Sequence, residues 1–287
     1  MNRWLITGFS FVAAITFVEA ADTNTTLSEI LAERPLSNVV KASDLIGHDV
    51  RDSSDKKLGD IKDVALDLEG GKILYAVVSI GGDQDAENHL LTVPAGLLAA
   101  KDNHLILKGD KSKLSSAPTF SAKSSLSAEF LSDLNRRFPP EGSRDSGAIT
   151  NASQLQLAKS ILGMRVFDSS GEAAGEVKDL ALDWNSERIP FVIVAPSGVL
   201  KLAAVWYPVP SSALKMTNGK SLALTMTSDR FVAAPQLRPG DWANLSDLQR
   251  AKQIYAFYGT PGYFESGALQ FTGRTNALER IYHEPQK

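Results

Sequence analysis

"GDIKDVALD" occupies Gly59 to Asp67, and "GEVKDLALD" occupies Gly175 to Asp183. The second stretch begins 175 − 59 = 116 positions after the first, and the same offset holds well beyond it. Ile46-Gly47 falls on Leu162-Gly163, Val50 on Val166, and the triplet Asp52 to Ser54 on an identical Asp168 to Ser170. Ile73 falls on Ile189, Val78 on Val194, and Val93-Pro94 on Val209-Pro210. Ungapped agreement from residue 46 to residue 94 is the mark of a duplicated unit. Beyond it the offset drifts by one or two, as loop insertions and deletions allow: Ala117-Pro118 matches Ala234-Pro235, and "LSDLNR" from Leu131 matches "LSDLQR" from Leu245.

Each unit reads as short strands followed by a helix. In the first, residues 58–68 and 72–80 form a hairpin around Glu69-Gly70-Gly71-Lys72, where the glycines supply the positive φ of a tight turn. Ile73 to Ile80 is β-branched and aromatic and apolar on both faces, which suits a buried strand. His89 to Pro94 and His104 to Gly109 supply further strands, with "AGLLAA" as a helical turn between them. With "HDVRDS" that makes about five short strands, the spacing of a small barrel. Leu126, Phe130, Leu134 and Phe138 form a helical stripe stopped by Pro139-Pro140. Trp242, Leu245, Leu248, Ala251, Tyr255 and Tyr258 form the second stripe, with Asp241 as N-cap and Gly259 as its end.

The phrases "DLIG", "LGDIKDVALD", "YAVVSIGG" and "LTVP" of the first unit, and "ILG", "AGEVKDLALD", "FVIVA" and "YPVP" of the second, resemble the PRC-barrel domain family. The likeness covers roughly residues 42–110 and 158–226. That family is known from the cytoplasmic part of the photosynthetic reaction-centre H subunit and from ribosome-maturation factors. The resemblance implies a small antiparallel β-barrel used for docking and assembly, with no catalytic residues in common. The second copy departs at its hairpin, where Asn185-Ser186-Glu187-Arg188 replaces the Gly-Gly turn and Pro190 replaces Leu74. Its second strand is therefore expected to start late or lie at an edge.

The expected architecture is mainly β with some α: two tandem small antiparallel barrels, each followed by an amphipathic helix. Residues 1–20, with Arg3 ahead of an apolar run, read as a secretory signal peptide cleaved after Ala20. A flexible segment (21–41), a first domain with its helix (42–138), a linker (139–157), a second domain with its helix (158–258) and a tail (259–287) follow. The run is shorter than a bilayer needs, so no transmembrane segment is expected after cleavage. The location implied is periplasmic or extracellular.

The chain of 287 residues carries a net charge of −3 and no cysteine. Thiol chemistry and cysteine-ligated zinc are excluded, and nothing in the charge favours nucleic acid. Asp52, Asp55, Asp60, Asp63 and Asp67 invite a cation, yet their spacing fits no EF-hand loop, and they read as turn and edge positions. His48, His89, His104 and His283 have no histidine at the matching place in the other copy and no ligand spacing. No catalytic, cofactor or metal residues are therefore assigned. Trp184, Trp206, Tyr207, Tyr255, Tyr258, Tyr263 and Phe264 crowd the second unit and form a candidate interaction surface, although such residues more often build core. The reading is an exported, non-catalytic binding or scaffolding protein for a protein or cell-envelope component, with self-association as a further option. The alternative is an enzyme or small-ligand binder using a cleft between the barrels.

Overall fold

The computed structural model describes Leu36 and residues 39–80, 90–122, 124–139, 155–197 and 205–264. These belong to one compact unit, Pro35–Phe264. The expected signal peptide, most of the 21–41 segment, residues 140–154 of the linker and the tail beyond Phe264 lie outside the described residues.

The duplication repeats element by element. The first copy runs β1 (Val39–Lys41), α1 (Ala42–Leu45), β2 (Asp49–Arg51), β3 (Lys57–Asp67) and β4 (Lys72–Ile80). It continues with β5 (Leu90–Pro94), a 3-10 turn (Ala95–Leu97), β6 (Leu98–Lys101), β7 (His104–Leu107), α2 (Ser112–Ser115) and α3 (Ala128–Arg137). The second copy gives β8 (Leu155–Leu157), α4 (Ala158–Ile161), β9 (Arg165–Phe167), β10 (Ala173–Asp183) and β11 (Arg188–Pro196). Then come β12 (Tyr207–Pro210), a 3-10 turn (Ser211–Ala213), β13 (Leu214–Thr217), β14 (Ser221–Leu224) and α5 (Ser228–Phe231). A longer 3-10 segment (Pro239–Ser246) and α6 (Leu248–Tyr258) end it.

The fold is mainly β with helices, but the strands do not form two separate antiparallel barrels. All 14 join one mixed sheet, whose main path is β13-β14-β9-β10-β11-β4-β3-β2-β7-β6, with β1, β5, β8 and β12 pairing off it with β10, β4, β3 and β11. Each copy contributes an open strip with one parallel pair, β2 beside β7 and β9 beside β14. The strips meet where β4 pairs with β11 at Lys72 and Arg188. There Ile73 N–H donates to Glu187 O and Ile189 N–H to Gly71 O, both at 2.9 Å, so the two hairpins are related by a local pseudo-twofold. Inter-strand bonding continues across this seam because both hairpins expose the same backbone edge.

Two short strands cross over. β1 pairs with β10 of the second copy (Val39 opposite Asp183, Lys41 opposite Ala181), and β8 pairs with β3 of the first (Leu155 opposite Asp67, Leu157 opposite Ala65). Residues 39–41 and 155–157 are thus ladder strands, where the sequence reading has a flexible segment and a linker. The outer edge of β1 is covered in turn: Val39 N–H donates to Ser246 Oγ at 3.1 Å and Trp242 Nε1 to Val39 O at 3.0 Å. Covering an edge in this way blocks pairing with other chains.

Pro190 is not at an edge. β11 lies between β10, β12 and β4, and Pro190 sits in a bulge, since Ala181 faces Phe191 and Asp183 faces Arg188. The first copy has the same bulge at Leu74, between Tyr75 and Ile73. A bulged residue gives no ladder N–H, so proline costs nothing there. The hairpin turn is likewise the same in both copies: Gly71 has φ +62° and Glu187 has φ +56°.

The main apolar core runs through both copies, from Leu45 and Ile61 to Phe191 and Leu222, and a smaller cluster under α3 joins Tyr75, Leu131 and Leu134 to Leu155 of β8. The cleft expected between two barrels is, among the described residues, this shared core. Each longer helix packs on its own copy, as shown by edge-on rings: Phe130 of α3 against Tyr75 (6.1 Å) and Tyr255 of α6 against Phe191 (5.6 Å). Ser127 caps α3 by accepting from Phe130 N–H. Asp247, not Asp241, caps α6, because a 3-10 segment fills the residues before it, and Gly259 ends it in the left-handed region. "AGLLAA" divides into a 3-10 turn and strand β6 rather than one helical turn.

Gly71 combines its positive φ with a close approach: a Cβ there would stand 2.7 Å from Ser211 Oγ of the other copy. At Gly163, whose φ is +79°, a Cβ would point into open space. Gly71→Ala should therefore cost about 2 kcal/mol and Gly163→Ala about 1 kcal/mol, read as shifts in chemical-denaturation midpoint.

Candidate functional site

The central acids of "GDIKDVALD" and "GEVKDLALD" face each other's copies. Asp63 Oδ1 accepts from Val64 N–H (2.8 Å) and from Lys159 N–H (3.2 Å) at the start of α4. Asp179 Oδ1 accepts from Leu180 N–H (2.8 Å) and Ser43 N–H (3.2 Å) at the start of α1, and its Oδ2 accepts from Ser43 Oγ. Ser43 and Lys159 occupy equivalent positions, so each copy caps the other's crossed-over arm. A bulge at Lys62 and another at Lys178 turn the two aspartates toward that role. Burial pushes the Asp63 carboxyl up, against the opposing pull of the Val64 and Lys159 amides.

The hairpin tips are exchanged too. Trp184 is 1% exposed and donates from Nε1 to Ala95 O of the first copy at 3.2 Å. Glu69 of the first tip accepts from Met216 N–H on β13 at 3.1 Å. Glu187 lies over Gly96, where a Cβ would come within 3.2 Å of its Oε1. Burial raises the Glu187 carboxyl, opposed by Lys108, Arg188 and Lys72. Each open strip is plugged by the tip of its neighbour.

The remaining acids are engaged locally. Asp52 Oδ1 accepts from Ser54 and Lys56 N–H, and Asp67 Oδ1 from Gly70 N–H. Asp168 accepts from Ser170 and Glu172 N–H through Oδ1 and from Ser228 N–H and Oγ through Oδ2, which ties its turn to α5. Ser228 is the largest influence holding its carboxyl down at about 2. On the first copy, Asp49, Arg51, Asp55, Lys57, Asp60 and Lys62 form a ladder of surface ion pairs. The corresponding residues of the second copy include Arg165, Phe167, Ala173 and Glu176, with Arg165 over the Phe167 ring at 5.5 Å.

No cluster of three or more His, Asp or Glu with metal-holding geometry occurs among the described residues. His48 Nδ1 lies 3.1 Å from Asn103 Nδ2 on the surface. His104 is half-buried on β7, and His89 and His283 lie outside the described residues. An open depression of about 250 Å³ is lined by Asn244, Asp247, Gln249, Arg250 and Gln253. Every residue lining it has a polar side chain, and its arginine donates to Gln236 O.

The aromatic group of the sequence reading is mostly internal, a correction to its reading as a surface. Trp184, Tyr207, Tyr255, Tyr258 and Phe264 are buried, and Trp206 and Tyr263 are partly buried against the same core. Tyr255 Oη donates to Pro190 O at 2.9 Å and Tyr263 Oη to Asp183 Oδ2 at 3.1 Å. Burial raises all the tyrosines of this group whose titration is displaced: Tyr255, Tyr258 and Tyr263. Sequence reasoning missed the cross-copy roles of Asp63, Asp179 and Glu69. For the two aspartates the only signal was the return of the same acid at the same place in both strands.

The family model of the PRC-barrel domain matches residues 37–114 and 156–227, together just over half of the chain. The chain belongs to the PRC-barrel domain family. It carries two tandem copies, and the matched segments take in the crossed-over strand β1 and all but the first residue of β8. No curated protein matches the chain.

Two titrations follow. Burial raises the Asp63 carboxyl above its unfolded value of 3.8, so its ionisation opposes folding increasingly as pH rises through and beyond that value. Asp63→Asn, which keeps an acceptor, should gain stability over the wild type between pH 4 and pH 7, whereas Asp63→Ala loses about 1–3 kcal/mol for its unsatisfied amides. Asp168 titrates below the unfolded value, so its contribution is full above about pH 4 and fades as pH falls toward 2. The stability gap between wild type and Asp168→Ala, followed by urea titration, should close over that interval.

Proposed function

We propose that this protein is an exported, non-catalytic binding and scaffolding protein whose double PRC unit docks a protein or a cell-envelope component. Membership of the PRC-barrel family supports a binding type of domain. Export rests on the leader-like first twenty residues of the sequence. Among the described residues, no helix is long and apolar enough to cross a membrane.

The observation that carries the reading is where duplication has been kept and where it has been lost. The aspartates identical in both copies at the 116-residue offset, Asp52/Asp168, Asp63/Asp179 and Asp67/Asp183, accept from backbone amides in turns and arm caps. The outer faces have diverged, with an ion-pair ladder on one copy and Arg165, Phe167 and Ala173 at the matching places on the other. Selection on a shared chemistry would keep reactive groups, whereas a rigid frame with two different outer faces suits recognition.

The test is purification of the tagged full-length chain from its own envelope fraction after in-cell cross-linking, with N-terminal mass measurement. The expected outcome is a chain starting at Ala21 joined to one heterologous component in fixed ratio. Recovery of self-linked chain alone, or of chain retaining Met1 in the cytoplasm, would sink the proposal.

A further inference from the structure

The geometry points to the seam between the copies as a selective protein–protein interface in its own right: the first copy recognises a second-copy partner and each copy rejects its own kind. The partner is a repeat of the second type, whether it comes from the same chain or from another molecule of this protein.

Three observations carry this. First, the seam has the anatomy of an interface with exchanged arms. β1 and α1 lie on the second copy, β8 and α4 lie on the first, and Asp179 and Asp63 cap the arriving helices. Both hairpin tips are seated in the opposite copy. Arm exchange is a common route by which identical elements join two chains.

Second, the pseudo-twofold makes self-pairing of either copy geometrically conceivable, since every element has its counterpart at the same place. The residues at the tips then decide the outcome. If two second copies paired, Glu187 would stand where Gly71 stands, and a Cβ at that place lies 2.7 Å from Ser211 Oγ. Its carboxylate would meet Ser212 in place of Gly96, where a Cβ would already crowd Oε1 at 3.2 Å. Trp184 would also have to enter the site that the fully buried Leu68 fills.

Third, pairing two first copies fails for the opposite reason. Leu68 would replace Trp184, leaving the space of an indole beside Ala95 and removing the donor to Ala95 O. One mispairing is overfilled and the other underfilled, which is how steric complementarity yields specificity.

The experiment uses the full chain with a protease site placed within residues 140–154. The folded protein is cut, mixed with an isotope-labelled cut preparation, and its pairs are counted by native mass spectrometry during exchange. The expected result is that the pieces remain together and exchange only as first-with-second pairs. Self-pairs should fall roughly tenfold or more below the statistical ratio of one to two to one. Glu187→Gly combined with Ser211→Ala and Trp184→Leu should raise the second-with-second pair toward that ratio. Statistical pairing of the wild-type pieces, or pieces that separate and unfold on cutting, would overturn the inference. So would triple-variant pieces that remain paired but show no rise in self-pairs.

Discussion

The structure depends on a side-chain acceptor oxygen placed in a strand and aimed at a neighbour's backbone. Asp63 and Asp179 each bond the amide next to them and the first turn of an arm from the other copy. A buried acid with no such donor would be costly to keep. With those donors, each acid fixes where a three-residue strand and a one-turn helix can lie. Neither β1 nor β8 is long enough to hold itself in place, and helices of one turn are marginal in isolation. The caps, the ladders and the plugged tips are mutually dependent, and the shared core follows from them.

This interdependence explains why the strips stay open. A small barrel closes its sheet to remove edges. Here each strip instead receives the neighbour's hairpin tip: Trp184 at Ala95 in one direction, and Glu69 at Met216 with Gly71 against Ser211 in the other. An isolated copy would have exposed the wall around Leu68 or Trp184 and lost the strand on β3 or β10. Continuity of the core across the pair is thus a consequence of incomplete closure within each copy.

Much of this was legible in the sequence. The 116-residue offset is reproduced by the pairs β1 and β8, β3 and β10, and β4 and β11, and the Gly-Gly turn falls where the hairpin turns. The exchange was not legible. "VVK" and "LQL" are too short to carry a period, and their partners lie far along the chain, where only tertiary pairing can choose them. Pro190 misled for a related reason. Proline excludes a ladder bond, and an edge is one answer to that constraint, but a bulge is another and Leu74 already occupied one. The aromatic crowd was ambiguous because burial and interface use draw on the same residue types. Trp184 at the second hairpin tip, Tyr207 on β12, Tyr255 and Tyr258 on α6 and Phe264 after it all belong to the core.

The asymmetry between the tips is the strongest sign that the duplicated halves have adapted to each other. Identical copies would be constrained to one compromise at the pseudo-twofold, with the same side chain plugging both strips. Once joined, one tip could enlarge while the site opposite it shrank. Trp184 reaches Ala95 and Glu187 lies over Gly96 in one direction, while Gly71 lies close to Ser211 in the other. Glu187 holds a left-handed conformation that glycine holds in the first copy, a strain of order ~1 kcal/mol for a non-glycine residue. Such strain is retained only where the side chain is wanted. At this position the side chain lies over Gly96, where burial raises its carboxyl and the cations Lys108, Arg188 and Lys72 only partly oppose that effect. Mutual adaptation at the seam releases the outer faces from symmetry, and the ion-pair ladder of the first copy accordingly has no equivalent at Arg165, Phe167 and Ala173 of the second.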